Sequence, residues 1–460
     1  MPGVPQADVD VVAVIDRVPL SRLQWVTIVL CGIVAILDGF DTQAIAFVAP
    51  LIAKDMQADM SAFGPVFGAG LLGLTVGALA FGPIADRFGR KPVIIVSSLM
   101  FGAFAFATPV VQSLDGLMVM RFLTGLGLGG AMPNIIALTS EYAPKHRRAT
   151  LVTLMFCGFP LGAVLGGLIS AKLMAHYGWP VVFYLGGVLP IVVLPLLMLW
   201  LPESIRFLVA RRADPARPLG ILRRLDPAGR YGDDTRCVLP EQTAEGSPIS
   251  QLFTGGRAAG TMLLWVVFFC NLLILYFLIN WLPSVLQQAG LPIERAIIAT
   301  VVLNAGGIVG GLMLGRLVDS RPPFGILTFA YMAAAALVAG IGLVASSPIP
   351  VLMLTIFATG FFVIGSQYCM NALAANYYPT ALRSTGVGWA LGIGRIGSII
   401  GPVVGGAMMA MGWDTGQLFM ATAMPAVVAA IAVVSIGLQA RSRRPEAGSS
   451  ETLKLSETAL

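Results

Sequence analysis

The chain has 460 residues, of which 57% are hydrophobic and 11% are charged. Because about a quarter of the residues in an ordinary soluble domain are charged, this composition excludes a soluble globular protein and indicates a membrane protein. The formal net charge of +6 would suggest an acidic partner for a soluble chain, but in a membrane protein the placement of lysine and arginine among the loops is more informative. We therefore expect a lipid bilayer around this chain and no nucleic-acid partner.

Twelve apolar runs follow one another along the chain, each long enough for a membrane-crossing helix of about 20 residues. The predicted fold is an all-α polytopic membrane protein with an N-terminal six-helix half (1–201), a cytoplasmic linker (202–257), a C-terminal six-helix half (258–440) and a disordered cytoplasmic tail (441–460). We expect the linker to be either a tether or a set of short surface helices. The predicted spans are 24–53, 63–85, 92–112, 116–140, 149–174, 180–201, 259–288, 294–317, 325–346, 350–376, 384–411 and 415–438.

The 29 lysine and arginine residues divide unevenly between the two ends of these spans. If both termini are cytoplasmic, 24 of these residues lie on the cytoplasmic side and only Lys54, Lys172 and Arg295 lie outside. The remaining two, Arg121 and Arg395, fall within spans. Since loops rich in lysine and arginine stay in the cytoplasm, the distribution predicts that both termini are cytoplasmic.

Catalytic and metal-binding patterns are not found in the sequence. Its two histidines, His146 and His176, form no constellation with other residues, and its five cysteines lack metal-ligand spacing. A phosphate-binding loop of the type G-x-x-x-x-G-K is also missing. We therefore expect neither an enzyme nor a bound metal or organic cofactor.

The two halves of the chain repeat one another. The loop SEYAPKHRRAT (140–150) resembles ANYYPTALRST (375–385) at an offset of 235 residues, and the same offset brings Gly162 and Gly166 onto Gly397 and Gly401. Around an earlier loop, GPIAD (82–86) resembles GRLVD (315–319) at an offset of 233. Three matches in nearly the same register indicate an internal duplication of a six-helix unit.

The stretch GPIADRFGRK (82–91) resembles the loop 2–3 signature of the major facilitator superfamily, G-x-x-x-D-R-x-G-R-K/R, at every defined position. The resemblance implies two parallel six-helix halves with substrate bound between them near mid-membrane. It also implies contacts among charged loop residues that hold the cytoplasmic side closed, although these residues could instead only set the topology. The candidate gate residues are Asp86, Arg87, Arg90, Glu141, Arg148, Asp319 and Arg383.

Three further stretches resemble the aromatic acid/proton symporters within that superfamily. They are DGFDTQAIAFVAP (38–50), YFLINWLPSVLQQAG (276–290) and LRSTGVGWALGIGRIGSIIGP (382–402). The resemblance implies a monomer in a bacterial inner membrane that imports a hydroxybenzoate-like carboxylate with a proton, the proton being the only coupling ion and no cofactor being needed. The alternatives are transport of another organic anion or of a sugar, since PESIRFL (202–208) also resembles sugar porters, or a non-transporting sensor, which would need a larger cytoplasmic domain.

Four ionisable residues lie at mid-span, where a charge is costly and therefore indicates function: Asp38, Asp41, Arg121 and Arg395. Asp38 and Asp41 are three residues apart and so lie on nearly the same helix face, where two like charges favour protonation of one of them. We predict proton coupling by this pair. The alternative is that one aspartate is permanently ionised and tied to an arginine.

The two arginines are candidate substrate ligands. Arg121 needs an anion, which could be Asp38, Asp41 or the substrate, and Arg395 is predicted either to bind a substrate carboxylate or to pair with the aspartates. The hypothesis is that protonation of an aspartate releases an arginine, which then binds the substrate. Uncharged residues expected at the same cavity, unless they only pack or hydrogen-bond between helices, are Asn280, Trp281, Gln367 and Tyr368.

Overall fold

A computed structural model of the chain describes residues 8–211, 213–229, 231–239, 249–379 and 382–442. The described residues form two compact units, one up to residue 239 and one from residue 249. Twelve helical segments in this part of the chain are long and apolar enough to cross a membrane. The predicted all-α fold with twelve spans is therefore confirmed.

The first unit contains ten helices and a short two-stranded sheet. The strands are β1 (Asp8–Asp10) and β2 (Arg236–Val238). The helices are α1 (Val11–Arg17), α2 (Arg22–Asp55), α3 (Phe63–Phe88), α4 (Arg90–Ala107), α5 (Leu114–Tyr142), α6 (Arg148–Phe156), α7 (Gly158–Tyr177), α8 (Pro180–Trp200), α9 (Ile205–Ala210) and α10 (Ala216–Leu225).

The second unit consists of six long helices, preceded by a short 3₁₀ turn at Ile249–Phe253. They are α11 (Ala258–Gln288), α12 (Ile293–Ser320), α13 (Pro323–Val344), α14 (Ile349–Tyr377), α15 (Arg383–Ala410) and α16 (Thr415–Ser442). α16 extends two residues into the predicted tail, because apolar periodicity defines a helix end only to within a residue or two. Residues 443–460 of the tail lie outside the described residues.

Close contacts between helices within each unit are made at glycines. A methyl group at Gly162 of α7 would overlap the backbone of Ile36 on α2, and one at Gly397 of α15 would overlap the backbone of Phe269 on α11. Gly162 and Gly397 are the residues that the sequence repeat aligns. The duplicated glycines therefore have the same role in both units, which is to let the fifth helical span of a unit approach its first.

The fifth span is interrupted, although the sequence predicts one continuous run over 149–174. α6 ends at Phe156 and α7 begins at Gly158. Pro160 explains the break, because proline has no N–H to donate to the Phe156 carbonyl and its ring clashes with that carbonyl in a regular helix. Cys157 lies at the junction, and its N–H donates to Thr153 O at 2.9 Å.

Most of the predicted linker forms ordered structure against the first unit. β2 pairs in parallel with β1, with Val9 opposite Cys237. Leu219, Leu222 and Leu225 on one face of α10 are buried in the same apolar cluster as Val14 of α1. Of the two alternatives left open by the sequence, the described residues up to 239 show short surface helices, and residues 240–248 lie outside the described part.

Candidate functional site

Both aspartates of the DGFD stretch are buried in the middle of α2. Asp38 and Asp41 each expose only 1% of their surface. Asp38 accepts a hydrogen bond from Thr42 Oγ1 at 3.1 Å. Gly39, between them, lies against the backbone of Phe159 on α7, where any larger residue would overlap it. The tight contact between α2 and α7 thus fixes the position of the helix segment that carries the two carboxylates.

Asp41 forms an ion pair with Arg121, which α5 contributes. Arg121 Nη1 lies 3.5 Å from Asp41 Oδ2, and the arginine side chain is 4% exposed. Neither carboxylate oxygen of Asp41 accepts a hydrogen bond from any described residue. Of the anions that the sequence allowed for Arg121, the structure therefore places Asp41 beside it.

Arg121 is held in position by neutral groups rather than by the aspartate alone. Its Nη2 donates to Thr108 Oγ1 at 3.2 Å and to Thr124 Oγ1 at 3.1 Å. The ring of Phe183 on α8 lies 4.8 Å from the guanidinium carbon, a distance that suits a cation–π contact. Arg121 Nε has no hydrogen-bond partner among the described residues. The guanidinium is therefore fixed in place and retains a donor for another acceptor.

The charge arrangement favours exchange of partners. A buried ion pair offsets the cost of removing both ions from water only when its geometry is good and its remaining polar atoms are satisfied. Here Arg121 Nη1 and Asp41 Oδ2 are farther apart than in a charge-assisted hydrogen bond. Neither Asp41 oxygen accepts a hydrogen bond from a described residue, so the arginine's charge is what stabilises the carboxylate. A second carboxylate could thus compete for Arg121 if Asp41 took up a proton at the same time.

In the second unit, Arg395 lies on α15 and is partly exposed. Among the described residues of that unit no carboxylate pairs with its guanidinium. A polar network joins two neighbouring helices: Asn271 Nδ2 donates to Gln367 Oε1, and Gln367 Nε2 donates to Asn371 Oδ1 at 3.2 Å. Asn271 and Asn371 were not among the residues expected at the site. The signal available for them was only that amides inside spans need partners.

The other residues predicted to line the substrate cavity are Asn280, Tyr368 and Trp281. Asn280 is buried and donates to the Tyr276 carbonyl one turn earlier at 2.7 Å, and Tyr368 is half-buried beside Gly311 of α12. Trp281 differs from the expectation of a cavity-facing ring. It is fully buried, and its Nε1 donates to the Pro402 carbonyl of α15 at 2.9 Å, because Gly405 leaves space for the indole between α11 and α15. We therefore assign Trp281 to helix packing.

Three of the predicted gate residues meet in the first unit. Arg90 Nη1 lies 2.7 Å from Asp86 Oδ1, and Arg90 Nε lies 3.7 Å from Glu141 Oε1. The Asp86 side chain is 71% exposed, so its pair with Arg90 contributes little stability. The arginine nevertheless joins the ends of α3 and α5 through one side chain.

Glu203 and Ser204 belong to the same cluster and were missed by the sequence analysis. Glu203 Oε1 accepts from the backbone N–H groups of Arg90 at 2.9 Å and Lys91 at 3.3 Å, where the N-terminus of α4 favours a negative charge. The Ser204 hydroxyl donates to Glu141 Oε2. The signal was the PES triplet at 202–204, a serine N-cap preceded by a glutamate at the end of the sixth span.

The other gate candidates make fewer contacts. Arg87 stacks over the adjacent Phe88 ring at 5.5 Å. Arg148 is partly exposed and Arg383 is exposed, and neither forms an ion pair with described residues. The side chain of Asp319 lies outside the described residues.

The comparisons with known proteins agree on one family. The family model described as Major Facilitator Superfamily matches residues 31–390. The chain is 40% identical to the gallate transporter of Pseudomonas putida, over 94% of this chain and 96% of the relative. It is also 40% identical to the 4-hydroxybenzoate transporter PcaK of Pseudomonas putida, over 93% of this chain and 96% of the relative.

A solved structure supports the same fold. The crystal structure of a D-xylose–proton symporter superimposes with a TM-score of 0.70, covering 89% of this chain and 97% of the symporter at 17% sequence identity. An identity this low shows a shared fold and carries no conclusion about substrate.

Proposed function

The chain belongs to the major facilitator superfamily, and on that premise we propose that it imports an aromatic carboxylate of the hydroxybenzoate type across a bacterial membrane together with a proton. Supporting the substrate class are the two relatives that carry gallate and 4-hydroxybenzoate and align with nearly the whole chain. Because these relatives are named as transporters, we do not propose an enzymatic activity. The observation that carries the proposal is the buried contact between Asp41 and Arg121.

The proposed cycle exchanges one carboxylate for another on Arg121. In the resting site Asp41 is ionised and neutralises the arginine. When a substrate carboxylate takes the guanidinium, Asp41 loses the counter-charge of Arg121 and takes up a proton, since no described residue donates a hydrogen bond to its oxygens that would stabilise the charged form. The formal charge of the three groups is then zero both before and after loading.

Charge neutrality provides the coupling between substrate and proton. A site holding the substrate without the proton, or the proton without the substrate, carries a net charge and is costly to move through a low-dielectric region. Only the empty and the fully loaded site therefore reorient, which is the requirement for symport by alternating access. Arg395 is proposed as a second ligand for the substrate, because no carboxylate among the described residues of its unit pairs with it. Its formal charge and that of Asp38 cancel, so the balance between Asp41, Arg121 and the substrate is unchanged.

The experiment is uptake of labelled benzoate, 4-hydroxybenzoate, gallate and a phenylpropionate into membrane vesicles that contain the protein. We expect saturable uptake of at least one acid, abolished by a proton uncoupler, and a KM for Arg395→Lys raised about tenfold through loss of the bidentate contact. Arg217→Lys on α10 is the matched control. Uptake of a sugar but of none of these acids would refute the substrate class, and a normal KM for Arg395→Lys would refute that residue's role.

A further inference from the structure

A groove in the first unit lies between the start of α2 and the end of α10, and we call it the α2–α10 groove. Its cavity volume is about 670 Å³. Val18, Leu23 and Val26 contribute apolar surface, and Arg22 and Arg224 contribute charge. It is separate from the Asp41 site, whose residues do not line it.

The cations of this groove are only partly neutralised. Arg223 Nη2 donates to the Tyr231 carbonyl at 2.8 Å and to Asp233 Oδ1 at 2.7 Å, so its charge is already paired. Arg22 and Arg224 are exposed, and in the described part of the chain neither has an ion pair. Two arginines that line one cavity therefore have no anion of their own.

Asp226, the acidic residue that lines the groove, forms its hydrogen bonds within its own loop. Asp226 Oδ2 accepts from the Tyr231 hydroxyl at 2.7 Å, and Asp226 Oδ1 accepts from the Gly229 N–H at 3.1 Å. Burial and the neighbouring carboxylate raise the pKa of Tyr231 to about 12, so the phenol remains a donor at neutral pH. Asp226 is thus directed toward the loop and does not neutralise Arg22 or Arg224.

The groove runs along α2 from the first residue of the helix into the apolar part of the span. Arg22 is the first residue of α2, and Trp25, Val26 and Val29 on the following turns have exposed side chains. At 1.5 Å per residue, Val26 lies about 6 Å along the helix from Arg22. These exposed side chains offer an apolar surface on which an acyl chain can lie, and a tryptophan near the start of a span is typical of the membrane interface.

The side of the groove opposite α2 is formed by the end of α10, which packs against the core of the unit. The apolar face of α10 is buried in the core cluster of the unit, and the pairing of β2 with β1 fixes the chain that follows α10. Arg224 is thereby kept at a defined place near the start of α2. Two cations that line one cavity beside apolar side chains suit a phospholipid, which has an anionic head and an acyl chain.

We propose that the α2–α10 groove binds one anionic phospholipid, with the lipid phosphate between Arg22 and Arg224 and an acyl chain along Val26. Basic pockets beside transmembrane helices favour anionic head groups, because each arginine near the surface contributes to the attraction. An uncharged or zwitterionic lipid would leave the two cations without a full counter-charge. The site selects for net negative charge on the lipid.

The test is native mass spectrometry of the full-length protein in detergent, titrated with phosphatidylglycerol and, separately, with phosphatidylcholine carrying the same acyl chains. We expect phosphatidylglycerol to bind more tightly. Arg22→Gln and Arg224→Gln should each weaken its binding about fivefold. The matched control is Arg217→Gln, which removes the same charge from α10 outside the groove and should leave affinity within about twofold. Equal losses in all three variants, or equal affinity for both lipids, would overturn the proposal.

Two further measurements separate lipid binding from misfolding and from simple anion binding. The double variant Arg22→Lys with Arg224→Lys retains both charges and should bind phosphatidylglycerol within about threefold of wild type, even if a glutamine variant fails to fold. Millimolar inorganic phosphate should leave the lipid bound, because the acyl chain contributes to its affinity. Displacement of the lipid by phosphate alone would identify a simple anion site and contradict the proposal.

Discussion

Asp41 and Arg121 bring two of the mid-span charges together inside the first unit, where both side chains are buried. Four mid-span charges were found from the sequence because a charge in a membrane span is costly and therefore conspicuous. The sequence could not choose the partner of Arg121, since which faces of α2 and α5 meet is a property of the packed unit. Both aspartates proved equally buried, so exposure does not tell which of them titrates. The unsatisfied oxygens of Asp41 are what favour it.

The threonines that hold Arg121 could not have been identified from sequence. Thr108 and Thr124 each donate their hydroxyl hydrogen to the backbone carbonyl one turn earlier, at Phe104 and Met120, both at 2.8 Å. Threonines commonly do this inside spans, so nothing in the pattern marks them. The same hydrogen bond orients the oxygen lone pairs toward the guanidinium, which makes these two residues positioning residues for Arg121.

We predict that Thr124→Val raises the KM for the substrate about tenfold, because a hydrogen bond to a buried charge is worth about 1.5–3 kcal/mol. The measurement is initial uptake rate against substrate concentration in vesicles. Thr328→Val is the control, since the bond that the described residues show for the Thr328 hydroxyl is to the Phe324 carbonyl of its own helix. An unchanged KM in Thr124→Val would show that the threonine does not position the arginine.

At the scale of elements, apolar run length located every span, but features that depend on tertiary contact were missed. Each predicted run overlaps one span of the structure, because a bilayer requires length and hydrophobicity that few other structures need. The pairing of β1 with β2 was not foreseen. Such short strands have no periodic pattern of their own, and their pairing joins residues more than 200 positions apart in the sequence. The break at Cys157 has a local cause, Pro160, which run length alone does not register.

The packing of α2 against α7 gives a test at this scale. Gly39→Ala places a methyl group against the backbone of Phe159, so the two helices must separate, whereas Gly32→Ala on the same helix meets open space. We expect Gly39→Ala to cost about 1–3 kcal/mol of stability and Gly32→Ala to be neutral or slightly stabilising. Thermal unfolding of the two purified variants measures the difference. Equal Tm values would contradict the close contact.

At the scale of the whole molecule, the sequence repeat correctly indicated two similar units. In each unit the first span contacts the fifth, the second contacts the fourth and the third contacts the sixth. The repeat was visible because loops with defined charge and helix-contact glycines retain their spacing after a duplication, while lipid-facing positions can vary freely.

The orientation of the molecule remains a prediction from charge placement. Both termini should be cytoplasmic, because 24 lysine and arginine residues would then lie on that side. A fluorescent protein fused to the C-terminus should therefore fluoresce, and a phosphatase that is active only outside the cytoplasm should be inactive at the same position. An active phosphatase fusion would reverse the topology.

The central claim is that substrate and proton cross together through the Asp41–Arg121 site. The most direct measurement uses proteoliposomes loaded with a pH-sensitive dye, to which an aromatic acid that the wild type transports is added outside, with protein-free liposomes correcting for passive entry of the neutral acid. We expect wild-type protein to acidify the lumen as substrate enters, and Asp41→Asn to exchange preloaded substrate without moving protons. Accumulation of substrate by wild-type protein without acidification, or full proton flux in Asp41→Asn, would contradict this claim.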